Sequence, residues 1–282
     1  MANKKLSENT RAIVTGAGSG IGKAFALELA KRGGDVLVSD IDLDMAHATV
    51  AEIHRLGGRA TANQCDVSKL EDVKSLAEHA QAQFNQAPNF VINNAGVALG
   101  GSYLEDISLE DWRWIMGVNF WGVVHGCNVF VPILRAQDEG VLLNVSSAAS
   151  FFGAPKMGAY NASKAAVLGL TETLVAELSE TGVSVAVMCP TLIKTDIVKN
   201  SRIENLSVDD LQVQMSHRGM EADEAITRAL NGIDKGKIHL LPQLDARIAW
   251  FFKRLAPGLF TSRAMGFLNR KLIEQDSGVD QH

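Results

Sequence analysis

Thr15-Gly16-Ala17-Gly18-Ser19-Gly20-Ile21-Gly22 is the stretch on which the fold turns. It follows the short apolar run Ala12-Ile13-Val14 and opens a helical pattern with Ile21, Ala24, Phe25 and Leu29 on one side. Gly33-Gly34 brings that helix to an end. Strand, glycine turn and helix in this order make a site for a dinucleotide. Glycine at 16, 20 and 22 lets the backbone turn tightly and approach a pyrophosphate, whose charge the helix N-terminus stabilises. The contact expected here takes in Gly16, Ser19, Gly20, Ile21 and Gly22.

Outward from this turn, short apolar runs alternate with helical patterns. The runs are Val36-Leu37-Val38, Phe90-Val91-Ile92, Val141-Leu142-Leu143 and Val183 to Val187, with weaker ones near Arg59 and Ile238. Runs without polar alternation suit strands covered on both faces, and the intervening helices suit right-handed crossovers. The expectation is an α/β fold: a Rossmann-type, doubly wound parallel sheet in a single domain. Asp40 closes the second run, eighteen residues past Gly22. A carboxylate there can accept hydrogen bonds from both adenosine ribose hydroxyls and repels a 2′-phosphate. No arginine or lysine stands at 17 to 19 or just after Asp40. NAD(H) is therefore preferred over NADP(H).

With 282 residues, 46% of them hydrophobic, the chain suits one large domain or two small ones. A formal net charge of -5 argues against nucleic-acid binding. Cys65, Cys127 and Cys189 are far apart and fit neither a metal spacing nor a disulfide framework, which points to a reducing, cytoplasmic location and no metal. Met1 to Thr10 is polar, without the apolar core of a secretory signal, and no stretch approaches the ~18 apolar residues of a membrane span.

Tyr160-Asn161-Ala162-Ser163-Lys164 places a phenol and an ammonium four positions apart, on one face if the segment is helical. Tyrosine titrates near pH ~10, so proton transfer near neutrality needs roughly 4 kcal/mol of help. A fixed positive charge beside the phenol can supply it. The expectation is a Tyr160 whose pKa Lys164 depresses.

From about Thr10 to Ile197 these residues, in order and spacing, resemble the short-chain dehydrogenase/reductase family in its compact single-domain type. Cys65-Asp66-Val67 resembles the segment over the adenine ring, with Asp66 as acceptor and Val67 beside it. Asn93-Asn94-Ala95-Gly96 resembles the stretch that ends the fourth strand against the cofactor, so Asn94, Ala95 and Gly96 are expected contacts. Ser147 matches the family's catalytic serine and Asn119 its helix asparagine. Pro190 to Thr195 resembles the Pro-Gly-x-x-x-Thr segment at the nicotinamide, with Thr191 where glycine is usual and Thr195 as a donor to the carboxamide.

The resemblance implies a division of labour. Ser147 orients the substrate oxygen and Tyr160 exchanges a proton with it. Lys164 tunes the tyrosine and bonds the nicotinamide ribose, and Asn119 holds a water that links Lys164 to solvent. It also implies a homodimer or homotetramer, paired through the segments Trp112 to Phe130 and Ala165 to Leu178. Phe151, Phe152, Met157 and Val97-Ala98-Leu99 are expected to wall an apolar pocket, and Val198 to Met220 to form a mobile lid. The implied reaction is hydride transfer between NAD(H) and an apolar alcohol or carbonyl compound. Two other functions compete: an NADPH-dependent reductase of acyl thioesters, which Asp40 disfavours, and a non-catalytic cofactor sensor. A sensor would be expected to lack one of Asn119, Ser147, Tyr160 or Lys164, and all four are present.

The end of the chain differs from the rest, which suggests a catalytic domain over 1–245 and an extension over 246–282. Ala246 to Ile273 contains Arg247, Lys253, Arg254, Arg263, Arg270 and Lys271 and no acid, interleaved with aromatic and aliphatic residues. Packing on the domain or on another subunit is the plainer reading. Contact with a membrane surface is the other.

Overall fold

The computed structural model describes residues 5–195, 201–204, 213 and 215–266. Seven strands form one sheet: β1 (Arg11–Thr15), β2 (Asp35–Asp40), β3 (Arg59–Gln64), β4 (Phe90–Asn93), β6 (Gly140–Val145), β7 (Val183–Met188) and β9 (His239–Leu240). Their order is β3-β2-β1-β4-β6-β7-β9, and every pairing is parallel. A separate two-residue pair joins β5 (Leu99–Gly100) to β8 (Arg202–Ile203). The chain winds one way from β1 through β2 and β3, then returns to β4 and winds the other way. The order therefore reverses between β1 and β4, where a crevice opens at the carboxyl ends of the strands.

The apolar runs are continuous because both faces of the sheet are covered. Ala12 and Val14, Val36 and Val38, Phe90 and Ile92 face one core with α1 (Gly20–Lys31), α2 (Leu43–Arg55) and α8 (Ala222–Ile233). Ile13, Leu37, Val91 and Leu142 face the other, with α3 (Leu70–Phe84), α5 (Gly122–Gln137) and α7 (Gly158–Glu177). The weakest runs became the outermost strands: β3 is polar and partly exposed, and β9 has two residues. All three cysteines are buried and free. Burial pushes each of their thiols up to about 12.

One expectation fails here. α4 (Leu109–Met116), a π turn (Gly117–Trp121) and α5 run on as a single helix of 29 residues, Leu109–Gln137, long and apolar enough by length and composition to cross a bilayer. Its apolarity has a local cause: Val123, Cys127, Phe130 and Leu134 pack against the sheet. Of the expected lid, Leu206 and Leu211 lie outside the described residues. Ile203 sits in β8, and Met215 accepts a backbone hydrogen bond from Gly219.

α9 (Leu244–Leu255) lies over the short helix α6 (Ala149–Phe152). Trp250 meets Phe151 edge-on at 5.1 Å and His239 at 4.8 Å, and Phe260 meets Phe152 at 5.8 Å. Glu172 of α7 accepts from His239 Nε2 at 2.8 Å and from Arg254 at 3.1 Å.

The first turn depends on backbone approaching backbone. Gly16 has φ +62°, and a Cβ on Gly22 would lie 2.1 Å from Gly16 O. Alanine is the better helix former by roughly 0.8–1.0 kcal/mol, yet here it has no room. Gly22→Ala is expected to destabilise the protein by about 2 kcal/mol, read as a lower urea midpoint. An unchanged or raised midpoint would show that α1 can move off the turn freely.

Candidate active site

The carboxyl ends of the strands gather the polar residues. Thr15 ends β1, and its Oγ1 accepts from Asn94 N at 3.0 Å and Ala95 N at 3.2 Å while donating to Ile92 O. Asn94 Nδ2 donates to Thr15 O and Gly16 O at 2.8 and 3.1 Å, so its side chain braces the glycine turn. Asp40 Oδ2 accepts from Gly18 N at 2.8 Å and Oδ1 from Asp42 N at 3.1 Å. Each carboxylate oxygen keeps acceptor capacity for a ribose hydroxyl. A Cβ on Gly18 would come within 2.9 Å of Asp40 Oδ2, so glycine lets the acid reach the turn. These features fit a dinucleotide: open backbone at a helix N-terminus, with a carboxylate beside it.

Asp66 is tied locally. Its Oδ1 accepts from Ser68 N and Oγ, and Lys69 stands 3.2 Å from Oδ2. Burial opposes ionisation, but the Ser68 bonds and Lys69 outweigh it and hold the carboxyl below its ordinary value. Val67 packs on Gly122 and its carbonyl meets His125 Nδ1 at 2.9 Å, which anchors this segment to α5.

α7 brings its first two turns to the end of β6. Ser163, Lys164, Val167, Thr171 and Leu174 face inward, and Ser146 Oγ donates to Lys164 O at 2.8 Å. Lys164 Nζ donates to Val145 O at 3.1 Å and stands 6.0 Å from the centroid of the Tyr160 ring. Tyr160 is half-buried against Leu99, Ile107 and Ile115, with the Ser147 hydroxyl hydrogen-bonded to its phenol. Ser147 Oγ accepts from Ala149 N at 3.2 Å and reaches Pro190 O only at 3.5 Å. Asn119 lies in the π turn, fully buried. Its Oδ1 accepts from Val97 N at 2.8 Å, and its Nδ2 donates to Val97 O and to Ser163 Oγ. A Cβ on Gly96 would be 3.2 Å from both Asn119 Oδ1 and Lys164 Nζ. Ser147, Tyr160, Lys164, Asn119 and Gly96 therefore meet in one place, beside the Asn94 that braces the turn.

The electrostatics differ from the expectation of a depressed phenol. Burial raises the Tyr160 pKa, against which the Ser147 bond acts only in part. The Lys164 ammonium is drawn to the Val145 carbonyl, and its charge does not offset the lost hydration of the phenol. Lys164 itself is pushed down to about 8, because burial penalises its charge.

The expected pocket wall divides in two. Val97 and Leu99 pack with Tyr160, and Met157 lies 3.4 Å from where a Gly100 Cβ would be. Phe151 and Phe152 turn instead to Trp250 and Phe260. Thr191 is not in the left-handed region that glycine would serve. It turns its hydroxyl to Asp245 Oδ1, 3.1 Å away. Thr195 approaches the turn: a Cβ on Gly20 would lie 3.3 Å from it. Sequence reasoning missed Thr15, Ser163 and Gln243. Ser163 carried a signal, since it falls one turn beyond Tyr160 on the same helix. Gln243 carried none.

The Lys164 shift has a sign that can be checked. The folded pKa, about 8, lies below the ordinary 10.5, so the folded state sheds the proton first. The associated stability is full above 10.5 and is lost as pH falls through 8. Ligand-free protein should therefore gain stability to urea from pH 8 to pH 10 relative to Lys164→Met. Parallel pH profiles for the two proteins would contradict this.

The short chain dehydrogenase profile matches residues 10–206. A cyclohexanol dehydrogenase from Acinetobacter sp. (strain SE19) is 38% identical over 198 residues, covering 70% of this chain and 78% of the relative. Among solved structures, a short chain dehydrogenase/reductase from Burkholderia phymatum in complex with NAD superposes with a TM-score of 0.80 at 32% identity, covering 89% of this chain and 96% of the other. A short-chain dehydrogenase from Sphingobium yanoikuyae in complex with NADPH gives 0.75 at 26% identity, covering 89% and 94%. With the sheet order, the glycine turn and the cluster around Tyr160, these likenesses make the chain a member of the short-chain dehydrogenase family.

Proposed function

We propose that the protein is an NAD(H)-dependent oxidoreductase that interconverts an apolar alcohol and its carbonyl compound. The observation that carries this reading is the meeting of the Tyr160 phenol, the Ser147 hydroxyl and the buried Lys164 ammonium one loop away from the glycine turn. The Burkholderia relative is in complex with NAD and the Sphingobium one with NADPH, so the preference rests on residue 40. Its carboxylate, bonded to Gly18 N, supports NAD(H) and repels a 2′-phosphate.

A nicotinamide cofactor, when bound, would supply the hydride acceptor or donor. The rest is done by side chains of this chain. Ser147 bonds the Tyr160 phenol and reaches Pro190 O only at 3.5 Å, so its hydroxyl can turn to the substrate oxygen and fix that oxygen near Tyr160. Tyr160 takes the proton of the alcohol, or returns it to the carbonyl oxygen. Its raised pKa makes the neutral phenol, which gives its proton to a carbonyl oxygen, the resting form. In oxidation the alcohol's proton is taken by the phenolate, formed once the phenol has lost its own proton beside Lys164. Lys164 makes one hydrogen bond among the described residues, although an ammonium has three donors. The others suit the cofactor ribose and the phenol oxygen as it ionises, where a desolvated cation acts strongly. Asn119 uses its whole side-chain amide to hold Val97 and Ser163, so its direct work is to fix the floor under Gly96.

Val97, Leu99 and Met157 support an apolar substrate, and the name of the Acinetobacter relative agrees with one. The extension supports delivery from an anionic membrane surface. Leu244, Ile248, Phe251, Phe252, Leu255 and Leu259 recur at helical spacing and are all exposed, Leu255 by 68%. Lys253 and Arg254 flank that stripe, and Ala246 to Ile273 contains no acid.

Tyr160→Phe should reduce alcohol oxidation by about 10³-fold or more while NADH binding, read by fluorescence, is kept. Substantial turnover would remove the enzyme mechanism. Asp40→Ala should weaken NADH about tenfold and leave NADPH no weaker than before; equal losses for both would remove the cofactor preference. Flotation with anionic vesicles at low salt, lost with neutral vesicles, tests the surface contact. Absence from the vesicle fraction at any salt would end it.

A further inference from the structure

Thr191 and Leu192 lie just beyond β7, on a loop that runs on to Thr195 beside Gly20. Two contacts tie the loop to the catalytic serine: Ala148 N donates to Pro190 O at 2.8 Å, and Ser147 Oγ reaches the same oxygen at 3.5 Å. On one side the loop pairs with Met220, through Lys194 N to Met220 O and Met220 N to Leu192 O, both 3.0 Å. On the other side stands the head of α9. Gln243, only 6% exposed, engages both ends of its amide on this loop. Its Oε1 accepts from Thr191 N and its Nε2 donates to Leu192 O, each at 3.2 Å. Its own carbonyl accepts from Arg247 N in the first turn of α9. Asp245 adds the bond from Thr191 Oγ1.

The amide acts as a peptide group does in a ladder, pairing one N–H and one C=O of a passing chain. Losing it would leave Thr191 N without that acceptor in a half-buried setting, a larger penalty than loss of the exposed Thr191–Asp245 bond. α9 cannot drift, because Trp250 and Ala249 pack with Phe151, Val187 and Cys189 beneath it. The C-terminal helix and the serine loop thus share a packed floor and a hydrogen-bonded edge.

We propose that Gln243, seconded by the Thr191–Asp245 pair, is a positioning residue: it holds the Pro190–Thr195 loop in register with Ser147 and the glycine turn, and so fixes the orientation in which nicotinamide is bound. This rests on the cofactor reading given above. Placement errors near 1 Å can cost about 10²-fold in rate, so a two-bond clamp on this loop bears directly on turnover.

The test uses the full chain, with NADH fluorescence, steady-state kinetics on a responsive alcohol and thermal unfolding. Gln243→Leu removes both bonds at similar volume. It should raise the NADH dissociation constant about tenfold and lower kcat, with the alcohol KM within about twofold. Thr191→Val should weaken NADH by a smaller factor, and Thr191→Ser should recover the loss. Gln243→Leu with unchanged NADH affinity and kcat would overturn the proposal. If that variant does not fold, equal NADH affinities for Thr191→Val and Thr191→Ser would overturn it instead. Failure of the unmodified protein to bind NADH would be a different result: it would remove the cofactor reading itself, and the clamp with it.

Discussion

A charged amine enclosed between a helix and the end of a strand is the constraint on which this site depends. Lys164 is buried, bonded to one carbonyl, and depressed in pKa by its surroundings. Such a group weakens the fold and is tolerated because the packing around it is over-determined. Ser146 holds the Lys164 backbone, Asn119 and Ser163 brace the next turn, and the polar string Asn93–Asn144–Thr171 joins β4, β6 and α7 behind them. Each tie fixes the distance between α7 and the sheet, and with it the place of Tyr160.

The π turn serves the same end. An extra residue in the helical repeat at Gly117–Trp121 sits where Asn119 points inward and grips the loop at Val97. The helix departs from regularity where a polar side chain must enter an apolar interior. Wider hydrogen-bond spacing of this kind is commonly found at functional positions.

Much of this was legible in the chain. Strands buried on two faces leave unbroken apolar runs, and the glycine turn has no bland alternative once a strand precedes it and a helix follows. The edges were faint because β3 and β9 face solvent and carry polar residues such as Arg59, Asn63 and His239. The direction of the Tyr160 shift was not legible, since it depends on where the Lys164 amine goes, and a carbonyl at the end of β6 captures it. Gln243 was invisible for a similar reason: its partners lie fifty residues away, and no local pattern marks a glutamine that pairs with backbone. Phe151 and Phe152 were assigned to the pocket by neighbourhood in sequence. Aromatic packing with Trp250 and Phe260 took them elsewhere.

The three cysteines carry a practical consequence. Thiols held near 12 and buried in the core offer almost no thiolate at neutral pH, so alkylating reagents find little to attack in the native protein. Cys65 and Cys127 share the core under α3 and α5, and Cys189 lies in the separate cluster under α9. Their modification times would act as internal clocks, two recording how often the first of these cores opens to solvent and one the second. A single cysteine introduced on the surface would take up a spectroscopic label with no need to remove the native ones.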